Sequence, residues 1–126
     1  MSLKSAVGRA RGLGSAKEGA GHIWAQRVTA VALIPLSLWV AVSVIGLSHA
    51  DYATLKGWMG KPGNASLLLL TVLTVMYHAN LGLQIVIEDY VSCEAKKIAS
   101  LIAMKLVTAF LAVFMTVSIL KVAIGA

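Results

Sequence analysis

His78 lies inside an unbroken apolar run, eleven residues before the Asp89–Tyr90 pair. If that run is helical, a rise of 1.5 Å per residue puts the imidazole roughly 16 Å from Asp89, near the middle of a bilayer. A polar ring at that depth needs a partner. A hydrogen bond to a neighbouring helix would serve; so would a metal, and the most suitable metal is haem iron with His78 as axial ligand. Gly82, one turn on, favours the second reading, because a residue without a side chain lets a flat macrocycle lie against the helix. The other histidines, His22 and His49, flank the first apolar run at opposite ends. Neither shares the depth of His78, so a haem held by two histidines would take its second ligand from another polypeptide.

Glu88, Asp89 and Tyr90 close the same run. Tyrosine is common at membrane boundaries, but a phenol beside a carboxylate can also hold a quinone carbonyl and help deliver a proton. His22, Trp24, Gln26 and Arg27 form a similar boundary ahead of the first run. Arg27 could snorkel to anionic lipid or pair with a haem propionate, which suits a guanidinium fork. Trp24 reads as an interface anchor. The single cysteine, Cys93, excludes an internal disulfide, a four-cysteine iron–sulfur site and a structural zinc cage, and reads as an unpaired thiol near a helix end.

The elements that must position these residues are three long apolar runs, about 28–47, 65–87 and 98–124. Each reaches the roughly 20 residues that a helix needs to cross about 30 Å of hydrocarbon. Strands of that character would leave unpaired backbone in lipid. The whole chain is 59% hydrophobic and 13% charged, with a mean hydropathy of +0.85, and the expected fold is an all-α membrane protein with three transmembrane helices. The third run contains Lys105 and Lys121 near its ends, where a long stem can lift the ammonium to the interface. Pro35 predicts a kink in the first helix, and Gly57, Gly60, Pro62 and Gly63 mark the first connection as turns.

Residues 1–27 form a basic N-terminal arm, with five basic residues against Glu18 and a net charge of +4. The arm lacks the apolar stretch of a secretory signal, though its basic, acid-poor character also fits a mitochondrial presequence. As the most basic flank it places the N-terminus in the cytoplasm. The first connection then faces the other side, the second returns inside, and the C-terminus ends outside. The overall charge of +6 gathers at the ends of apolar runs, which points to membrane lipids and not to nucleic acid.

On the second helix Thr71, Thr74, His78, Gly82, Ile85 and Asp89 share one stripe, while Asn80 and Gln84 lie opposite. Helices one and three can cover one face, which suggests that a polypeptide outside this one covers the other.

Together these residues resemble a known family. The run from His78 through Gly82 and Gln84 to Asp89-Tyr90-Val91 is similar to the second-helix signature of the hydrophobic membrane anchor of succinate dehydrogenase, respiratory complex II. The opening His22-Ile-Trp24-Ala-Gln26-Arg27-Val-Thr-Ala, with Pro35-Leu-Ser-Leu-Trp39, is similar to the first helix of alphaproteobacterial members. The resemblance spans about residues 21–124. It implies a heteromeric helix bundle with a second membrane anchor, the two together holding an iron–sulfur subunit and a flavoprotein at the bacterial inner membrane, or at the mitochondrial inner membrane in the alternative reading. It implies haem b shared with that second anchor, with His78 as this chain's axial ligand to the iron and Arg27 near the propionates. His22 is carried to the propionates on the loosest match. Tyr90 would hydrogen-bond ubiquinone with Asp89 beside it. FAD and the iron–sulfur clusters would reside only in the partner subunits.

The residues agree independently that this chain is a non-catalytic subunit, since they contain no dinucleotide fingerprint, cysteine cluster or acid–base pair suited to oxidising succinate. Two alternatives stand beside the succinate dehydrogenase anchor. One is the anchor of a quinol:fumarate reductase. The other is a haem-free structural subunit of another membrane complex, in which His78 and Asn80 only join helices.

Overall fold

The computed structural model describes residues 13–125, with side chains from residue 20 onward. Lys4, Arg9 and Arg11 of the basic arm therefore lie outside the described residues. Four helices follow in order: α1 (Leu13–Gly46), α2 (Tyr52–Met59), α3 (Pro62–Tyr90) and α4 (Glu94–Ile124). Three of them, over Ala20–Gly46, Pro62–Tyr90 and Glu94–Ile124, are long and apolar enough to cross a membrane, as the three apolar runs require.

Each helix is longer than its apolar run. Hydropathy marks the part that crosses lipid, whereas a helix ends only where the backbone loses its hydrogen-bonding pattern. Before residue 28, no proline interrupts the polar flank, so α1 already exists at Leu13. Pro62 does not break α3 but begins it, at the position where its missing N–H leaves no bond unmade. At 29 residues, α3 is roughly 43 Å long and projects beyond about 30 Å of hydrocarbon at its ends.

The first connection contains a helix that the glycines and proline hid. Asp51 caps α2, its carboxylate accepting from the Thr54 backbone N–H at 2.9 Å. The hydrogen bonds from Thr54 hold this carboxyl below its ordinary value of 3.8. Trp58 of α2 stacks on Trp39 of α1, centroids 5.7 Å apart. A Cβ at Gly60 would come within 3.3 Å of the Ala123 carbonyl oxygen, so the glycine permits a close approach between the end of α2 and α4. Gly125 then closes α4 at φ 84°, a left-handed conformation suited to glycine. The Lys56 side chain lies against that cap, a favourable place for a cation.

The three long helices form a slab one helix thick. α3 occupies the middle, with α1 on one side and α4 on the other. Among the described residues, α1 and α4 make no close backbone contact with each other. Consequently the apolar core is small: Leu36, Val72 and Leu81 are buried, with Thr74 beside them. Ile45, Val42 and Phe110 are among many large apolar side chains facing outward. That inversion is expected in lipid, where helix association rests on packing and polar contacts instead of apolar burial.

Candidate functional site

The two polar faces of α3 are both met by helices of this chain. On one side Asn80 donates from Nδ2 to Thr108 Oγ1 of α4 at 2.7 Å. On the other, His78 Nδ1 lies 2.8 Å from Thr29 Oγ1 of α1. The expectation that one face must await a polypeptide from outside is thus corrected: a middle helix has two neighbours, and each meets one polar face. Gln84 instead bonds within α3, to Glu88 Oε1 at 3.1 Å.

The Thr29 contact sets the state of the imidazole. Thr29 Oγ1 lies 2.7 Å from the Ala25 carbonyl oxygen and 3.0 Å from that of Gln26. Oxygen atoms that close repel unless a proton lies between them, and a threonine inside a helix commonly donates to the carbonyl one turn back. A hydroxyl has one proton to give. With that proton directed at the α1 backbone, Thr29 accepts from His78 Nδ1, the contact made by the neutral tautomer whose lone pair is on Nε2. Among the described residues Nε2 has no hydrogen-bond partner, and His78 is half-buried. This is the tautomer in which a histidine ligates a metal through Nε2.

Thr29 belongs to a stripe on α1 with Gln26 and His22, all half-buried, and Thr29 and Gln26 meet α3. Gln26 lies opposite Gly82, where an added Cβ would be 3.6 Å from Nε2 of the amide. That is ordinary contact, so the packing of α1 on α3 does not require glycine there. His22 Nε2 and Gln26 Oε1 are buried and have no hydrogen-bond partner among the described residues. His22 lies seven residues from Thr29, roughly 10 Å along the helix, and does not reach the level of His78. His49 is exposed at the opposite end of the slab.

Arg27 is exposed and projects away from the stripe occupied by His22, Gln26 and Thr29. Asp89 and Tyr90 close α3, both exposed, Tyr90 at 83%. They share the end of the slab where α1 enters, but no hydrogen bond joins them to Arg27 or His22 among the described residues. Lys105 lies eleven residues into α4, level with this half of α3, and lines a groove of about 300 Å³ with Tyr77, Asn80 and Thr108. No group of three or more His, Cys, Asp or Glu that could hold a metal ion occurs among the described residues. His78 is a single donor, suited to half of a shared site.

Sequence reading missed Thr29 and treated Gln26 as part of a boundary. The signal present was spacing: positions 22, 26 and 29 fall on one side of a helix. It identifies a polar stripe without saying which helix it meets.

The model of the succinate dehydrogenase/fumarate reductase transmembrane subunit family matches residues 1–120. The chain belongs to this family. The hydrophobic membrane anchor subunit of succinate dehydrogenase from Rickettsia bellii is 38% identical over 104 residues, covering 82% of this chain and 83% of the relative. That from Paracoccus denitrificans is 41% identical over 93 residues, covering 71% and 70%. A succinate dehydrogenase membrane anchor subunit from Reclinomonas americana is 27% identical over 94 residues, covering 72% and 78%. No solved structure gives a significant match. Membership of this transmembrane family agrees with the resemblance carried by the run from His78 to Tyr90 and with the three apolar helices.

Proposed function

We propose that this chain is the membrane anchor of a succinate dehydrogenase, holding the flavoprotein and iron–sulfur subunits at the inner membrane and forming, with a second anchor, the sites for haem b and ubiquinone. Family membership and the names of the relatives support the anchor role. The observation that carries the haem assignment is the His78–Thr29 contact, which engages Nδ1 and leaves Nε2 without a hydrogen-bond partner among the described residues. One donor fits half of a bis-histidine site, the other half coming from the partner anchor.

Bound haem b would supply a one-electron carrier within the membrane. The chain's own residues hold and orient. His78 would hold the iron through Nε2. Arg27, exposed at the end where α1 enters, offers charge and a planar fork to a propionate, with His22 assigned to the same region. Tyr90 donates its hydroxyl proton in a hydrogen bond to a quinone carbonyl oxygen, and the Asp89 carboxylate beside it can hold a proton destined for that oxygen. Oxidation of succinate belongs to the partner subunits. The N-terminus faces the cytoplasm, in keeping with the basic charge ahead of α1.

The same hydrogen bond also suits a haem-free bundle in which His78 merely joins α1 to α3. An optical spectrum of the purified complex separates the readings. A six-coordinate b-type signal that disappears in His78→Ala supports the haem role; a spectrum unchanged by the substitution removes His78 as a ligand.

A further inference from the structure

We infer that Thr29 is the positioning residue for His78, fixing the imidazole as the Nδ1–H tautomer and aiming Nε2 out of the α1–α3 contact. The inference rests on the haem reading above and adds to it a residue of another helix that acts through the ligand.

The geometry is over-determined in the way such a role requires. Three groups surround Thr29 Oγ1: two carbonyl oxygens of its own helix at 2.7 and 3.0 Å, and His78 Nδ1 at 2.8 Å. The carbonyls claim the hydroxyl proton, so Oγ1 can only accept from the ring. Threonine is branched at Cβ, which limits the side chain to few rotamers and holds Oγ1 on the α3 side of α1. The bond joins residues 49 positions apart, so it also ties the ring's orientation to the packing of two helices. A ligating histidine held at its other nitrogen is a better and better-aimed donor, and loss of such a partner commonly costs 10- to 100-fold in metal affinity. A serine hydroxyl can reproduce the contact. Valine, nearly the same shape, cannot.

The test uses the intact complex in mild detergent, with Thr29→Val, Thr29→Ser and His78→Ala. Three quantities are read: b-type haem per complex, the rate of haem transfer to added apomyoglobin, and the haem midpoint potential. Thr29→Val should release haem roughly 10- to 100-fold faster and raise the midpoint, because the imidazole donates less once Nδ1–H has lost its acceptor. Thr29→Ser should restore the wild-type values of both. If Thr29→Val prevents assembly, Thr29→Ala is judged by the same criteria. A Thr29→Val complex with wild-type release and midpoint overturns the assignment, as does Thr29→Ser behaving like valine. His78→Ala with an intact b-type spectrum would instead overturn the haem reading itself, whatever Thr29 does.

Discussion

Polar side chains among the described residues differ in how they find partners, and the differences sort them by role. Thr71 and Ser43 bond to their own helix backbone at 2.7 Å and need nothing further. Asn80 and Thr108 satisfy each other across two helices. His78 is only half satisfied, with Nδ1 engaged and Nε2 free among the described residues. Tyr90 differs again, since 83% of it is exposed at the end of α3 and its hydroxyl has no packing role to lose. That makes Tyr90→Phe a clean substitution. Ubiquinone reduction should slow by about tenfold, the equivalent of one hydrogen bond of roughly 1.4 kcal/mol. Succinate oxidation measured with an artificial acceptor should continue unchanged. Equal ubiquinone rates in variant and wild type would return Tyr90 to the status of an interface aromatic.

At the scale of elements, and among the described residues, one side-chain hydrogen bond joins α3 to α1 and one joins it to α4, within apolar surfaces that lipid would solvate equally well. Such bonds in membranes average about 0.6 kcal/mol and reach about 1.7. A double-mutant cycle with Asn80→Ala and Thr108→Ala should therefore give a coupling of about 0.6 kcal/mol, read from unfolding of the chain in detergent. A coupling indistinguishable from zero would mean that the groove containing Tyr77 and Lys105 hydrates the pair. The long helices were legible because a run of some 20 apolar residues has few other solutions in lipid. α2 was not, because Gly57, Gly60 and Pro62 are breakers in isolation; Asp51 with Thr54 three residues on is a capping pattern that outweighs them. The expected depth of His78 follows from its eleven-residue distance to Asp89. Its partner Thr29 could not be read in this way, because nothing local to either residue states that α1 lies beside that face of α3.

The whole molecule is a slab whose two broad faces are apolar and whose ends are not. α2, with Trp58 stacked on Trp39 and Lys56 over the cap of α4, closes one end. At the other end lie Arg27, Asp89, Tyr90, Cys93 and Lys96–Lys97, together with the start of α1. Among the described residues this second end carries Arg27, Lys96 and Lys97 against Glu88, Asp89 and Glu94, so the positive-inside orientation rests on the basic sequence ahead of α1. Under that rule the residues assigned to propionates and quinone would lie on the cytoplasmic side, where soluble partners would deliver electrons. Cys93, the single cysteine and exposed, reports which side that is. A membrane-impermeant maleimide should label it in inside-out vesicles and not in right-side-out ones. In a Cys93→Ser background, Ser48→Cys in the exposed turn after α1 should show the opposite pattern. Partner subunits seated on the cytoplasmic end would shield Cys93 from the reagent, in which case the Ser48→Cys vesicles decide alone. Labelling of that residue only in inside-out vesicles would reverse the topology, and would place Tyr90 on the side of the membrane away from a cytoplasmic electron donor.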